Sequence, residues 1–186
     1  MHGWTAHPDS KPCCASGLGA VQDSEKLARL VSLQVPNLGY VPFSRSELLP
    51  PSNKAASNTC GDKDGCSVLR SDSISEQRLM ELSSERAQAV NLRAMEKSNP
   101  PKSVRVSNGA RIAKATDVRS IRLARNPDKQ VLFVYDDPCD EEPCHAVIRM
   151  DNDTPEEEVA GVLDKIAAIF RHSVKPIENI AASKPE

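Results

Sequence analysis

The spacing of apolar residues changes at Pro100-Pro101, and this change most constrains what the chain of 186 residues can fold into. Before the two prolines, apolar residues recur at helical intervals. From Lys102 onward they alternate with polar residues, which is typical of a strand with one buried face. Helices and strands are therefore segregated along the chain, and segregation favours an α+β fold over a doubly wound sheet.

Two helices are predicted before the prolines. Apolar residues at i, i+3 and i+4 from Leu27 predict a short helix over 24–35. The sequence Ser73-Ile-Ser-Glu76 fits a capping box and predicts a longer helix over 74–97. Pro100-Pro101 ends this second helix, because proline carries no amide hydrogen and its ring clashes with the preceding turn.

Strands are predicted in the second half of the chain. Residues 104–107 and 110–115 are expected to form a hairpin about Asn108-Gly109, a dipeptide suited to a tight turn with positive φ. Three further strands are predicted over 118–124, 130–135 and 144–150. The segment 130–135 is the most apolar of them and is expected at the centre of the sheet.

An amphipathic helix is predicted over 154–172. Thr154 fits the N-cap and Pro155 the first helical position, and the three glutamates that follow complement the positive end of the helix dipole. Val162 and Ile166 lie on its apolar face. This face is expected to cover an antiparallel sheet of four to five strands.

The chain is expected to have four parts. Residues 1–22 are expected to form a flexible arm, and 23–72 a short helix followed by a long loop rich in Pro, Ser and Asn. The α+β domain is expected over 73–175, braced by the helix 74–97, and a flexible tail over 176–186.

Composition narrows the possible classes of protein. A net charge of -2 excludes a polybasic nucleic-acid binder over the whole chain. No run of about 18 apolar residues is present, so no membrane span is expected. The first residues lack the apolar core of a secretory signal, which predicts a cytoplasmic location where the six cysteines stay reduced.

Cysteines and a histidine form the densest group of reactive side chains. Candidate zinc ligands are Cys60, Cys66, Cys139, Cys144 and His145, since zinc takes thiolates and imidazole in a tetrahedron. Alternatively no cofactor is bound, and the thiols pack as small apolar groups beside a solvated acidic loop. An enzyme that uses the loop 136–145 is a further alternative, but Cys144 and His145 are neighbours in sequence, which catalytic partners seldom are.

Charge is segregated along the chain. Residues 102–129 contain eight basic and two acidic residues, whereas 136–158 contain ten acidic residues and one basic residue. A partner-binding sheet surface is predicted at Arg105, Arg111, Arg119 and Arg122. A protein partner fits this polarity, and nucleic acid is the alternative, although such a surface would lack the aromatic side chains on which single strands usually stack.

Two short blocks, Gly65-Cys-Ser-Val-Leu-Arg70 and Asp136-Asp-Pro-Cys-Asp-Glu-Glu-Pro-Cys-His-Ala-Val147, lie in a frame of helix, strands and helix. In that order they resemble a loose group of small uncharacterised bacterial proteins over about 23–150. The resemblance implies a bacterial cytosolic protein and brings no activity or site residue. The leading hypothesis is a non-enzymatic interaction module, with a zinc-supported nucleic-acid-binding protein and an enzyme as alternatives.

Overall fold

A computed structural model of the chain describes residues 18–35, 66–97, 103–136, 144–151, 153–170 and 172–174. The strands within these ranges are β1 Lys26–Val35, β2 Cys66–Arg70, β3 Val104–Lys114, β4 Leu132–Asp136, β5 His145–Met150 and β6 His172–Val174. The helices within them are α1 Glu76–Lys97, α2 Ala115–Arg119 and α3 Glu156–Ile169, and a short 3-10 turn spans Ser71–Ser73.

The described strands form one six-stranded sheet in the order β4-β5-β2-β1-β3-β6. Every neighbouring pair is antiparallel. The predicted α+β class is therefore confirmed, with one strand more than the upper number expected. Two of the strands, β1 and β2, come from the region 23–72, which was expected to form a short helix and a long loop, and they lie in the middle of the sheet.

Helices cover the two faces of the sheet. The larger core contains Val162 and Ile166 of α3, packed with Leu27, Val68 and Ile148 of the strands, and we call this side the α3 face. A smaller core contains Leu79 of α1 packed with Ala28, Leu69, Ala110 and Cys144, and we call that side the α1 face. The predicted apolar face of the last helix is confirmed, because Val162 is 2% exposed and Ile166 is 0% exposed.

The predicted short helix over 24–35 is wrong, because this segment is the strand β1. Leu27 lies in the core of the α3 face and Ala28 in that of the α1 face, and both are fully buried. A strand that is buried on both faces loses the polar and apolar alternation that marks a half-buried strand. Its apolar residues can then fall at helical intervals by chance.

The predicted hairpin at Asn108-Gly109 is also wrong, because β3 runs through this dipeptide as one strand. Its ladder with β1 pairs Ala110 with Leu30 and Ser107 with Ser32, so two residues of β3 face one residue of β1. This is a β-bulge. Gly109 has a φ of +76°, which glycine adopts without strain, so the glycine serves a bulge and not a turn.

The predicted strand over 118–124 is replaced by the short helix α2 and an isolated bridge between Arg122 and Gln130. The longer helix over 74–97 is confirmed, but Ser75 and not Ser73 caps it, since its hydroxyl accepts the Arg78 amide at 3.2 Å. At the last helix, Pro155 occupies the N-cap position and not Thr154.

The buried arginine Arg70 anchors the segment before β1. It donates two hydrogen bonds of 2.7 Å to the Glu25 carboxylate, one of 3.0 Å to Asp136 and one of 2.7 Å to the Gly19 carbonyl. Burial by itself lowers the pKa of Arg70, but hydrogen bonds and charge attraction from Glu25 and Asp136 outweigh it and raise that pKa above its usual value.

A second arginine, Arg119 of α2, holds the same segment at another point. Its guanidinium donates to the Asp23 carboxylate and, at 2.7 Å, to the Val21 carbonyl. Residues 18–22, which were expected to belong to a flexible arm, are therefore fixed to the domain. Residues 1–17 and 176–186 lie outside the described part of the chain.

Candidate interaction surface

Aromatic and basic side chains share the α1 face of the sheet where β4, β5 and β2 are neighbours. Phe133 and Tyr135 are two positions apart on β4, so both point to the same face of the sheet. Arg149 lies directly opposite Phe133 on β5. We call this group, with Ser67 and His145 at its margin, the aromatic–arginine patch.

Close contacts order the patch. The centroids of the Phe133 and Tyr135 rings are 6.4 Å apart, within the range of favourable aromatic pairs. The guanidinium carbon of Arg149 is 5.5 Å from the Tyr135 ring centroid, which is a cation–π contact. At the margin, Ser67 Oγ and His145 Nε2 are 2.7 Å apart and share a hydrogen bond. The rings and the guanidinium are thus held before any partner arrives.

The patch lies beside α1 and not beneath it. Helix α1 packs on β1 and β3, which form the other half of this face. Phe133, Tyr135 and Arg149 are each half-buried, so part of each side chain stays accessible to a partner. The exposed parts of these three side chains therefore form an apolar and cationic surface on the β4–β5 half, whereas Val147 beside them is buried.

The outer edge of β4 is closed by side chains. Gln130 Nε2 donates to the Leu132 carbonyl at 2.9 Å, and Arg119 Nη2 reaches the Val134 carbonyl at 3.4 Å. Helix α2 also packs against this strand. An open edge would invite a partner to add a strand, and these groups block that route. The face, and not the edge, is the accessible part of β4.

The four candidate arginines occupy separate places in the structure. Arg119 anchors the N-terminal segment, and Arg122 Nη1 donates to the Arg119 and Ile121 carbonyls. Asn91 Nδ2 donates to the Arg105 carbonyl at 2.8 Å, and the Arg105 amide donates to Asn91 Oδ1 at 2.5 Å. Arg111 lies directly opposite Arg29 on β1. A common partner-binding surface made of these four residues stays a prediction.

The candidate zinc ligands are spread across the sheet as far as the structure describes them. Cys66 is buried in the core of the α3 face, whereas Cys144 is buried in the core of the α1 face, so these two thiols do not meet. His145 shares its hydrogen bond with Ser67. Within the described ranges no three potential ligands are grouped, and Cys60 and Cys139 lie outside those ranges.

The structure brings together a serine and a histidine that bear on the enzyme alternative. Cys144 is buried under α1, but Ser67 Oγ and His145 Nε2 are at the distance of a nucleophile and its base. Ser67 pairs with Val147 and His145 with Leu69 in the ladder of β2 and β5, so the contact of the two side chains is a diagonal cross-strand hydrogen bond. An enzyme that uses this pair stays a prediction.

The sequence did not single out Phe133, Tyr135 or Arg149 as functional residues. The sequence predicted a basic sheet surface at other residues, from Arg105 to Arg122, whereas the structure places two rings on one face of β4. The available signal was the spacing of two between Phe133 and Tyr135, both in a strand whose other face is apolar. Cross-strand pairing with Arg149 could not be read from one strand alone.

No family model, curated protein or solved structure matches this chain. Within the described residues, no helix is long and apolar enough to cross a membrane. The 22-residue helix α1 has the length, but charged residues recur along it. Functional conclusions therefore depend on the geometry of the surfaces themselves.

The patch makes a prediction about the ionisation of Tyr135. Burial raises the pKa of the Tyr135 hydroxyl above its usual value, while the nearby charge of Arg149 lowers it and that of Asp151 raises it. With Tyr40 replaced by Phe, the phenolate absorbance of Tyr135 is expected to titrate above about pH 10. Arg149→Met is expected to move this midpoint higher still, because the attraction for the phenolate is lost.

The raised pKa of Tyr135 also determines how the stability of the protein changes with pH. A raised pKa in the folded state means that the neutral phenol contributes stability below about pH 10, and that this contribution is lost as the pH rises through the raised value. Circular dichroism at each pH shows whether the protein is still folded. A midpoint at or below the usual tyrosine value in folded protein would contradict the burial of this hydroxyl.

Proposed function

We propose that this protein is a non-enzymatic interaction module that binds a protein partner through the aromatic–arginine patch. The carrying observation is the ordered contact of Arg149 with Tyr135, beside Phe133, on an accessible half of the sheet. Tyrosine, phenylalanine and arginine are enriched in protein interfaces, and tyrosine and arginine are common among the residues that dominate binding energy.

Preorganisation supports this role. A long arginine side chain usually loses rotamer freedom when a partner binds, at a cost of about 0.5–1.5 kcal/mol for an immobilised side chain. Arg149 is already placed against the Tyr135 ring, and the two rings are placed against each other. Less of the binding energy is then spent on ordering the surface.

The charge of the patch indicates what kind of partner fits. Arg149 supplies a positive charge beside the rings, whereas Asp136 and Glu158 are buried in hydrogen bonds of their own. A cationic and aromatic surface complements an acidic segment with apolar side chains. A single arginine can neutralise few phosphates, so a protein partner fits better than a nucleic acid.

Selection of short random peptides on the immobilised wild-type protein tests this function. We expect enrichment of peptides that combine Asp or Glu with an apolar side chain. The variants Phe133→Ala and Tyr135→Ala are each expected to weaken binding of the selected peptides by roughly tenfold or more. The matched control Leu92→Ala removes a side chain that is 61% exposed on α1, and it should leave binding unchanged.

Three outcomes would count against this function. Peptides that bind the two aromatic variants as tightly as the wild type do not use the patch. Peptides that are rich in Lys or Arg would contradict the charge argument. Tight binding of a fluorescent single-stranded oligonucleotide that weakens steeply with salt would favour the nucleic-acid alternative.

A further inference from the structure

A cavity of about 470 Å³ opens where β1 begins and β3 ends. It lies between the first turn of α1, helix α2 and the last turn of α3. Its volume is in the range of small-molecule sites, roughly 300–1,000 Å³. None of the patch residues lines it. An inference about this cavity therefore goes beyond the proposed function.

The floor of the cavity is apolar. Leu79 of α1, Ile112 of β3 and Ile169 of α3 contribute aliphatic side chains to it. Leu79 is 2% exposed, whereas Ile112 and Ile169 are only partly buried. A bound aliphatic group would cover the remaining accessible area of the two isoleucines and gain the usual free energy of apolar burial.

The rim of the cavity is charged, and part of this charge is already paired. Lys26 lies 3.8 Å from the Asp72 carboxylate, which also accepts the Lys26 amide hydrogen at 2.8 Å. Lys114 is directly opposite Lys26 in the ladder of β1 and β3. Like charges in this position repel each other, so a further anion beside Lys114 would be stabilising.

Three rim groups carry no ion pair within the described residues. They are the Lys114 ammonium and the carboxylates of Glu76 and Asp117. All three belong to exposed residues. One cationic group and two anionic groups therefore surround an apolar floor, and each sign of charge can accept its opposite on a ligand.

We infer that this cavity binds a small zwitterion with an aliphatic side chain, namely an amino acid of the leucine type. The ligand carboxylate pairs with Lys114, the ligand ammonium pairs with Asp117 and Glu76, and the side chain rests on Ile112 and Ile169. The carboxylate, the amine and the aliphatic group each have a distinct contact, so each can be removed from the ligand separately.

Three probes separate these contacts. Leucine carries both charged groups, leucinamide carries only the charged amine, and 4-methylpentanoate carries only the carboxylate. Protein with labelled isoleucine methyl groups is titrated with each probe in a slightly acidic buffer, where both amines are protonated. We expect leucine to shift the methyl signals of Ile112 and Ile169 and to leave that of Ile148 in place. Leucinamide is expected to bind about tenfold more weakly, and 4-methylpentanoate more weakly again.

Substitutions show which charged side chain of the cavity contacts which charged group of the ligand. Lys114→Met is expected to weaken leucine about tenfold and to leave leucinamide unchanged, whereas Asp117→Asn is expected to weaken both. Lys97→Met, an exposed lysine in the last turn of α1, serves as the matched control and should change neither affinity. Unchanged thermal unfolding of each variant shows that the fold is intact.

Several results would overturn the inference. Equal affinity for leucine and leucinamide would show that Lys114 does not bind the ligand carboxylate. Equal affinity for leucine and 4-methylpentanoate would show that Asp117 and Glu76 do not bind the ligand ammonium. Methyl shifts confined to isoleucines outside the cavity, or no shift with any probe, would rule the site out. Since the peptide selection reports on Phe133 and Tyr135, failure of this site is distinguishable from failure of the proposed function.

Discussion

Replacing Arg70 by methionine is expected to lower the free energy of unfolding by about 3–5 kcal/mol. The Arg70 side chain is 3% exposed, and the Asp136 side chain that it meets is 0% exposed. Methionine fills much of the same volume but removes the guanidinium that contacts the carboxylates of Asp136 and Glu25. Removing one partner of a buried charge pair costs more than the pair contributes, because the remaining charge stays buried.

Loss of this guanidinium also frees the main chain before β1. The Gly19 carbonyl loses its 2.7 Å hydrogen bond, and Glu25 loses both of its bonds. Arg70→Lys keeps the charge but cannot make the two parallel bonds to Glu25, so an intermediate loss is expected. The three contacts act together, and Glu25→Gln in the Arg70→Met background should cost less than it does alone.

Urea unfolding measures this loss. The matched control is Arg93→Met, an exposed arginine on α1, which should change stability by less than about 0.5 kcal/mol. If Arg70→Met and Arg93→Met unfold at the same urea concentration, Arg70 does not hold the segment 18–25 in solution.

Replacing Ile166 by aspartate is expected to unfold the protein. Ile166 is 0% exposed in the core between α3 and the sheet. The substitution removes an aliphatic side chain and places a charge in a site without a polar partner, and each change costs several kcal/mol. Domains of this kind are stable by only about 5–15 kcal/mol, so the combined loss consumes most or all of that margin.

Circular dichroism and thermal unfolding measure the effect. Ile166→Ala, which creates a cavity but no charge, should stay folded and lose about 2–5 kcal/mol. Gly161→Asp places the same carboxylate on an exposed position of α3, with open space for the side chain, and should melt close to the wild type. An unchanged melting curve for Ile166→Asp would disprove the packing of α3 on the sheet.

The sequence predicted those elements in which a single face is buried. Helix α3 is an example, because Val162 and Ile166 are buried while Asp164 and Lys165 between them are exposed. Strand β1 was missed because both of its faces are buried, and such a segment cannot be distinguished from a helix by spacing alone. The position of a strand within the sheet was harder still, since it depends on partners that are distant in sequence.

Strand β4 illustrates that difficulty. Its apolar composition predicted a central position, but it lies at one edge of the sheet. One face packs in the α3 core, the other carries the two rings, and the side chains of Gln130 and Arg119 close the outer edge. An edge strand that is covered in this way has the composition of an interior strand. The candidate patch was missed for the same reason, because it exists only when β4 pairs with β5.

The order of the strands has a consequence for synthesis of the chain on the ribosome. Leu27 of β1 pairs with Ala113 of β3, and Cys66 of β2 pairs with Ile148 of β5. The two strands at the middle of the sheet are thus made first. They can pair with each other, but the other edge of each strand needs a partner from the second half of the chain. Closing such long loops is slow, and these two edges stay open meanwhile. We expect the nascent chain to remain open until β5 and α3 have emerged and then to fold as a whole.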